Sequence, residues 1–406
     1  MIYRGRFLVT MEGPPIPWGC LRIQGDRIAQ TGTLEEMDRE PGEAIREFPD
    51  SVLMPGLINS HCHLELGMAR SMLPPGEPFP LWVSRLRKAL DGATSDQYRQ
   101  AARLGILECL KNGTTTIVDV GNTGESMPEL ATLPIRSFPY LEVLGLDPES
   151  APDRLRQAME RMAALPAANE LYRPGITCHA PYSCSRELLQ RISGDADLRS
   201  GPFTLHVGES AEEALMFSEG RGALFDFCRR IFPGLIWERH MSPIRFLGSN
   251  GLIPKGSLFA HCNHADGEDI RILAETETSV VHCPRSKAFF GHDGFQPELL
   301  REAGINLCLG TDSLASNEGL SLFDEMIELH RNHPSIPCRD ILAMATVNGA
   351  KALGYAGGLG CLVPGARADF LAISLRHHPE YDLYEEIVGE AHEVLLVSVA
   401  GEEVVS

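Results

Sequence analysis

The sequence contains no apolar run of about 18 residues, the length a membrane-spanning helix needs. Its opening, MIYRGRFLVTMEGPP, lacks the apolar stretch and small-residue cleavage site of a signal peptide. Eleven cysteines are scattered without a C-x-x-C pair, which argues against a disulfide framework. Several of them (Cys178, Cys283, Cys308) lie in apolar runs, where a reduced thiol packs as a small core residue. Positive charge is scarce as well. With 36 Lys and Arg against 55 Asp and Glu, the formal charge of -19 argues against a nucleic-acid backbone or an anionic membrane as partner. These absences lead to the expectation of a cytoplasmic protein with free thiols, acting on a small molecule.

What is present is an ordinary globular composition, 43% hydrophobic and 22% charged, over 406 residues. That length suits two or three average domains or one large barrel with an appendage. Gly and Pro divide the chain into three parts. Residues 1–52 hold short strand-like pieces such as RFLVTM and CLRIQGDRIAQTG, and residues 358–406 repeat that texture in ADFLAIS and VLLVSVAGEEVV. Both alternate apolar and polar residues, the mark of antiparallel strands with one buried face. Neither end buries enough to stand alone, so one small β-sandwich built from both termini is expected.

Residues 53–357 behave differently. Eight short apolar runs recur: VLMPGLINSH, TTTIVDV, SFPYLEVL, GITCHAP, FTLHVGE, SLFAHCN, TSVVHCP and INLCLGTD. Helical patterns separate them, as in SDQYRQAARLGILECLKNG, where Ser95 reads as N-cap and Gly113 as stop. Buried strands alternating with helices predict an α/β chain, a (β/α)8 TIM-like barrel. A doubly wound sheet competes with that reading, but its Gly-rich turn after the first strand is missing, and GYAGGLG near residue 357 reads as a turn.

Seven of the 14 histidines fall at or just beyond strand ends: His61, His63, His179, His206, His261, His264 and His282. Asp312 in LGTDS ends the eighth strand in the same way. In a barrel of this kind that face carries the active site. His61 and His63 are two apart, so an extended strand points both the same way. With His206 and Asp312 they can form a site of three nitrogens and one oxygen for a single divalent metal, Zn²⁺ first, with Fe²⁺ or Mn²⁺ as alternatives. An H-x-H pair alone is weak evidence; the joint pattern is specific. Glu209, three residues after His206, can pass a proton between water and a substrate nitrogen, while nearby Glu212 and Glu213 read as solvated loop acids. His261 can orient the attacking water, with His264 ranked second, and His282 reads as a packing residue.

PGLINSHCH, LHVGES, AHCNH, VHCPRS and GTDSLASN resemble motifs of the amidohydrolase superfamily, in its branch of cyclic amidine deaminases and chlorohydrolases. The resemblance covers nearly the whole chain, including ATVNGAKALG and PGARADFLAI. It implies metal ligands at His61, His63, His206 and Asp312, a proton shuttle at Glu209 and a water-positioning base at His261. It also implies one metal, since CHAPYSCS carries no Lys where binuclear relatives have one. HAPYSCS resembles the adenosine-type deaminases of that branch, which include aminodeoxyfutalosine and S-adenosylhomocysteine/methylthioadenosine deaminases. There His179 would meet the substrate sugar, and Trp82 in PFPLWVSRL would serve as lid or stacking residue. HCPRSK departs from the family's H-C-P-x-S-N, and its Arg285 can pair with a substrate carboxylate, as in aminodeoxyfutalosine, or hold a loop acid. The expected activity is hydrolytic deamination at the amidine carbon of a purine nucleoside or related heteroaromatic amine. Guanine or cytosine deamination, triazine amino- or chlorohydrolysis and cyclic amide cleavage remain as alternatives, as does a non-enzymatic scaffold. The cytidine-type signature H-x-E…P-C-x-x-C is absent. A homodimer stays open.

Overall fold

A computed structural model describes every residue except 40, 236, 238–239, 377–381 and 406. The first five strands are β1 (Ile2–Leu8), β2 (Ile16–Pro17), β3 (Cys20–Gln24), β4 (Arg27–Gly32) and β5 (Ile45–Pro55). All eight apolar runs then form strands: β6 (Leu57–Cys62), β7 (Thr114–Gly121), β8 (Arg136–Val143), β9 (Gly175–Cys178), β10 (Thr204–Val207), β11 (Leu258–His261), β12 (Ser279–His282) and β13 (Leu307–Leu309). Three more close the chain: β14 (Phe370–Ser374), β15 (Val394–Val399) and β16 (Glu402–Val405).

β6 to β9 pair in order as one four-stranded parallel sheet, and β10 to β13 as a second. Every residue of these eight strands is buried. Continuous apolar runs rather than alternation are what a parallel sheet covered on both faces requires. Helices intervene, among them Ser95–Lys111 before β7, Ala151–Ala163 before β9 and Gly267–Glu275 before β12. The first of these starts one residue earlier than expected: Thr94, not Ser95, is the N-cap, in a reciprocal capping box with Gln97. Gly113 follows its end at φ 84°, a conformation that suits glycine. Hydrogen bonds also join the two sheets. Thr311 N–H and Asp312 N–H both donate to His61 O at 3.1 Å, and His206 N–H donates to His179 O at 3.0 Å.

Strands from the two chain ends share one eight-stranded sheet, ordered β16-β15-β14-β5-β1-β3-β4 with β2 beside β1. The expectation of purely antiparallel pairing fails at its centre, where β1 and β5 run parallel. The β3–β4 hairpin occupies the other edge of β1, so β5 enters on the free side after reversing direction. β5 also continues past residue 52 to Pro55, only two residues before β6, so β6 is anchored directly on this sheet. Arg136 at the start of β8 reinforces that junction through two hydrogen bonds to Asp369 (2.9 and 3.2 Å), both side chains being 2% exposed. Among the described residues no helix is long and apolar enough to cross a membrane.

Candidate active site

His61 and His63, at and just beyond the end of β6, and His206 in β10 converge so that their ligand atoms lie within 4.8 Å of one another. His63 Nδ1 contacts Val120 O at 2.7 Å and His206 Nδ1 contacts His179 O at 3.0 Å. A carbonyl only accepts, so both rings carry a proton on Nδ1 and each Nε2 of a neutral ring is left as a bare lone pair. Those two Nε2 atoms face each other at 2.9 Å. His61 is 1% exposed, yet neither of its nitrogens has a partner. Buried acceptors aimed at one another are costly unless something positive lies among them. The donor set therefore fits a divalent cation. Asp312 lies beside it, with Oδ1 3.7 Å from His63 Nε2. Ser286 and Ser316 donate to Asp312 Oδ2 (2.6 and 3.2 Å), and Ser313 N–H donates to Oδ1 (2.7 Å), so the carboxylate is fixed in place.

Electrostatics agree with this geometry. Burial, then neighbouring imidazoles, push His61 well below the usual histidine range, and His63 moves the same way for the same two reasons. Burial lowers His206 too, but the Glu142 carboxylate, 3.3 Å from Nδ1, outweighs it and holds the ring at about 9. The cluster thus attracts one positive charge, and it does so between His63 and His206. Burial would raise Asp312, yet the facing imidazoles and Ser286 keep it below the ordinary carboxylate range.

Glu209, His261 and Asp312 form a second group, again with ligand atoms within 4.8 Å. His261 Nε2 is 3.9 Å from Glu209 Oε1 and has no hydrogen-bond partner. Burial, then Asp312, drive Glu209 well above the usual carboxyl range, which favours its protonated form. Backbone strain marks the same place: His261, Cys262 and Asp312 sit at φ 72°, 50° and 55°, the left-handed region that L side chains avoid. Glu213 is not the solvated acid the sequence suggested. It is wholly buried, and its Oε2 accepts Glu209 N–H at 2.9 Å, because the helix Ala211–Glu219 turns this residue back under the loop. Glu212 is half-buried, and its Oε1 accepts Phe79 N–H at 3.3 Å.

These groups open onto a cavity of about 590 Å³, with Glu142, His179 and Trp82 in its lining. Its aromatic wall includes Phe79 and Phe290, whose ring meets Trp82 edge-on at 4.9 Å. Arg285 is elsewhere. Its guanidinium is held by Asp324 (3.1 Å) and Glu318 (3.0 Å) beside a separate cleft, which is the loop-acid arrangement. His282 stacks on Phe295 with centroids 3.7 Å apart, and His264 stays outside the cavity lining. Sequence reasoning missed Glu142, a buried acid inside the apolar run SFPYLEVL, where the incongruity was itself a signal. It also missed Arg87 and Arg154, which line the cavity from exposed positions and carry no signal in the sequence.

Comparison with known proteins agrees with this architecture. The chain is 28% identical over 409 aligned residues to the 5-methylthioadenosine/S-adenosylhomocysteine deaminase of Desulfitobacterium hafniense, covering 95% of this chain and 88% of that protein. The crystal structure of Helicobacter pylori aminofutalosine deaminase superposes with a TM-score of 0.87 at 21% identity, over 100% of both chains. A zinc-bound adenosine deaminase from Xanthomonas campestris gives 0.84 at 20% identity, over 100% of this chain and 92% of that one. The mixed α/β fold is therefore that of the amidohydrolase structures, of TIM-barrel type. The model of the amidohydrolase family matches residues 52–404, and the chain belongs to that family.

Proposed function

We propose that the protein is a metal-dependent hydrolytic deaminase that replaces the exocyclic amine of an adenine nucleoside with oxygen and releases ammonia. The observation that carries this reading is the pair of facing Nε2 atoms 2.9 Å apart, with the unpartnered His61 beside them and the buried Glu209 in the same cavity. His61, His63, His206 and Asp312 would hold one divalent ion, Zn²⁺ ahead of Fe²⁺ or Mn²⁺, which when bound supplies the Lewis acidity that makes water nucleophilic near neutral pH. Glu209 gives its proton to the ring nitrogen beside the amidine carbon. His261 and Asp312 orient the attacking water and take up its proton. The carboxylate this leaves on Glu209 takes the proton of the added hydroxyl and hands it to the departing amine, and the proton held by His261 and Asp312 returns to Glu209. His179 and Trp82 contact the nucleoside.

The adenosine-type deaminases among the similar proteins support a purine nucleoside as substrate. Arg87 and Arg154 form no ion pair among the described residues, so an anionic tail, as in aminodeoxyfutalosine, would meet them rather than Arg285. The hydrogen bonds at β6/β13 and β9/β10 support closure of the two sheets into an eight-stranded barrel over residues 53–357. Residues 1–52 and 358–406 would then form the flanking β-sandwich. Incubating metal-loaded protein with adenosine, its 5′-substituted derivatives, aminodeoxyfutalosine, guanine, cytosine and chlorotriazines tests the activity. Ammonia from at least one adenine nucleoside is expected. No ammonia from any of them at full metal occupancy, or chloride release alone, overturns the reading.

A further inference from the structure

Glu213 is a buried acid to which the chemistry above gives no task, yet it is bonded to the residue that moves the proton. Glu209 occupies the link of residues 208–210 between β10 and the helix Ala211–Glu219, turned at Gly208 with φ 60°. The link belongs to no helix or strand, so contacts from outside it decide where the Glu209 carboxyl points. One side is supplied by residues 262–264. Cys262 N–H donates to Val207 O (2.9 Å), His264 N–H to Gly208 O (3.3 Å) and Asn263 Nδ2 to Glu209 O (2.9 Å). Three successive carbonyls are thus held by one segment, which leaves β11 through the left-handed backbone at His261 and Cys262.

Glu213 supplies the other side. Its Oε2 accepts Glu209 N–H at 2.9 Å, so Glu209 is gripped at both its N–H and its carbonyl. The helix does not require this contact. Ser210 is its N-cap and accepts Glu213 N–H at 3.2 Å, and in S-x-x-E the Glu ordinarily closes the box by taking the N–H of the N-cap itself. Here the carboxyl reaches past Ser210 to the residue before it. Packing does not require it either. Glu213 is 0% exposed and its Oε1 has no hydrogen bond among the described residues, an arrangement that disfavours an acid over an apolar side chain. The hydrogen bond to Glu209 is what this residue contributes and an apolar one of the same size could not.

We infer that Glu213 is a positioning residue for the deamination, which together with Asn263 clamps the Glu209 backbone and so aims the Glu209 carboxyl at the reacting edge of the substrate. The inference rests on the reading of Glu209 as the group that moves protons. Glu213 itself touches no substrate: it is absent from the cavity lining, to which Glu209 and His261 belong. Misplacing a reacting group by about 1 Å costs on the order of 10²-fold in rate. A side chain on an unclamped link is free to move that far.

Steady-state assays with the nucleoside that the wild type deaminates best compare wild type, Glu213→Ala and Glu213→Gln, each with its metal content and each again in a Glu209→Gln background. Glu213→Ala is expected to lower kcat by about 10- to 100-fold, with KM and metal content little changed. Glu213→Gln still offers a carbonyl oxygen to Glu209 N–H and should recover most of that loss. In the Glu209→Gln background Glu213→Ala should cost less than about 3-fold, since two changes that act through one group do not add. A further loss of full size there, or equal losses for Ala and Gln, would mean that Glu213 supports only the fold, and the inference falls. Asn263→Ala opens the other end of the clamp; the same pattern is expected of it, and it serves if Glu213→Ala does not fold. Crystal structures of the variants give a readout independent of turnover. The separation of Glu209 Oε1 from His261 Nε2, 3.9 Å in the wild type, is expected to change in Glu213→Ala and to return in Glu213→Gln. A displaced Glu209 in a protein whose wild type releases no ammonia from any nucleoside would sink the deaminase reading and keep the clamp. An undisplaced Glu209 would sink the clamp whether or not ammonia is released.

Discussion

Glu209 and Glu213 stand four residues apart, and their environments give them different work. Glu213 is wholly buried and fixed on the Glu209 backbone N–H, whereas Glu209 faces the cavity with its carboxyl free to exchange a proton. Glu209→Gln keeps the shape of the side chain and removes the exchangeable proton. It is expected to retain metal and lose on the order of 10²–10⁴-fold in kcat. Metal analysis beside steady-state assays checks this, and full activity in the variant would take Glu209 out of the mechanism. His206→Ala should behave differently, losing the ion as well as turnover, since Nε2 of that residue is half of the facing pair. Arg285 shows the limit of reading a single residue from sequence. Its charge was visible, but its direction was set by the helix Pro284–Phe290 and by acids some 30 to 40 positions away.

At the scale of elements, the site depends on how closely β13 approaches β6. A Cβ added at Gly310 would lie 2.7 Å from His61 O, inside any tolerable contact. Gly310→Ala is therefore expected to push the two strands apart, shift Asp312 relative to His61 and His63, and weaken metal binding; competition with a chelator would measure this. On the other side of the strands, Arg136→Ala would leave Asp369 as an unpaired buried charge between β8 and the terminal sheet. A loss of about 3–5 kcal/mol in urea unfolding is expected, and a loss below about 1 kcal/mol would mean the pair is replaceable by water. The eight strands were legible because continuous apolar runs of four to eight residues, punctuated by Gly and Pro, have few other readings. The parallel β1–β5 pairing was not, because alternation reports that one face is buried and says nothing of the partner's direction.

For the whole molecule, the pH dependence of stability follows from buried carboxyls outside the metal cluster. Burial raises Asp119 to about 7, Glu213 to about 7 and Glu325 to about 8, although Arg285 N–H and Asn317 pull Glu325 the other way. Between the unfolded carboxyl range near pH 4 and these values the folded state binds more protons than the unfolded one. Stability contributed by these groups is thus complete at the acid end of that window and is lost as pH rises through 7 to 8. Glu325→Gln, uncharged at every pH, should flatten the fall in Tm between pH 5 and pH 8 relative to wild type. An unchanged slope would show that Glu325 titrates normally.

The sequence by itself determined the eight buried strands, the placing of histidines and Asp312 at their ends, and the family, because these are properties of short segments and their order. Only the tertiary structure decided that Glu142, Arg87 and Arg154 face the cavity, that Glu213 is buried and that Arg285 is held by two acids. Those outcomes depend on which side chains meet across distant segments, and on how burial and nearby charge then set their protonation. No local pattern of residues encodes such meetings.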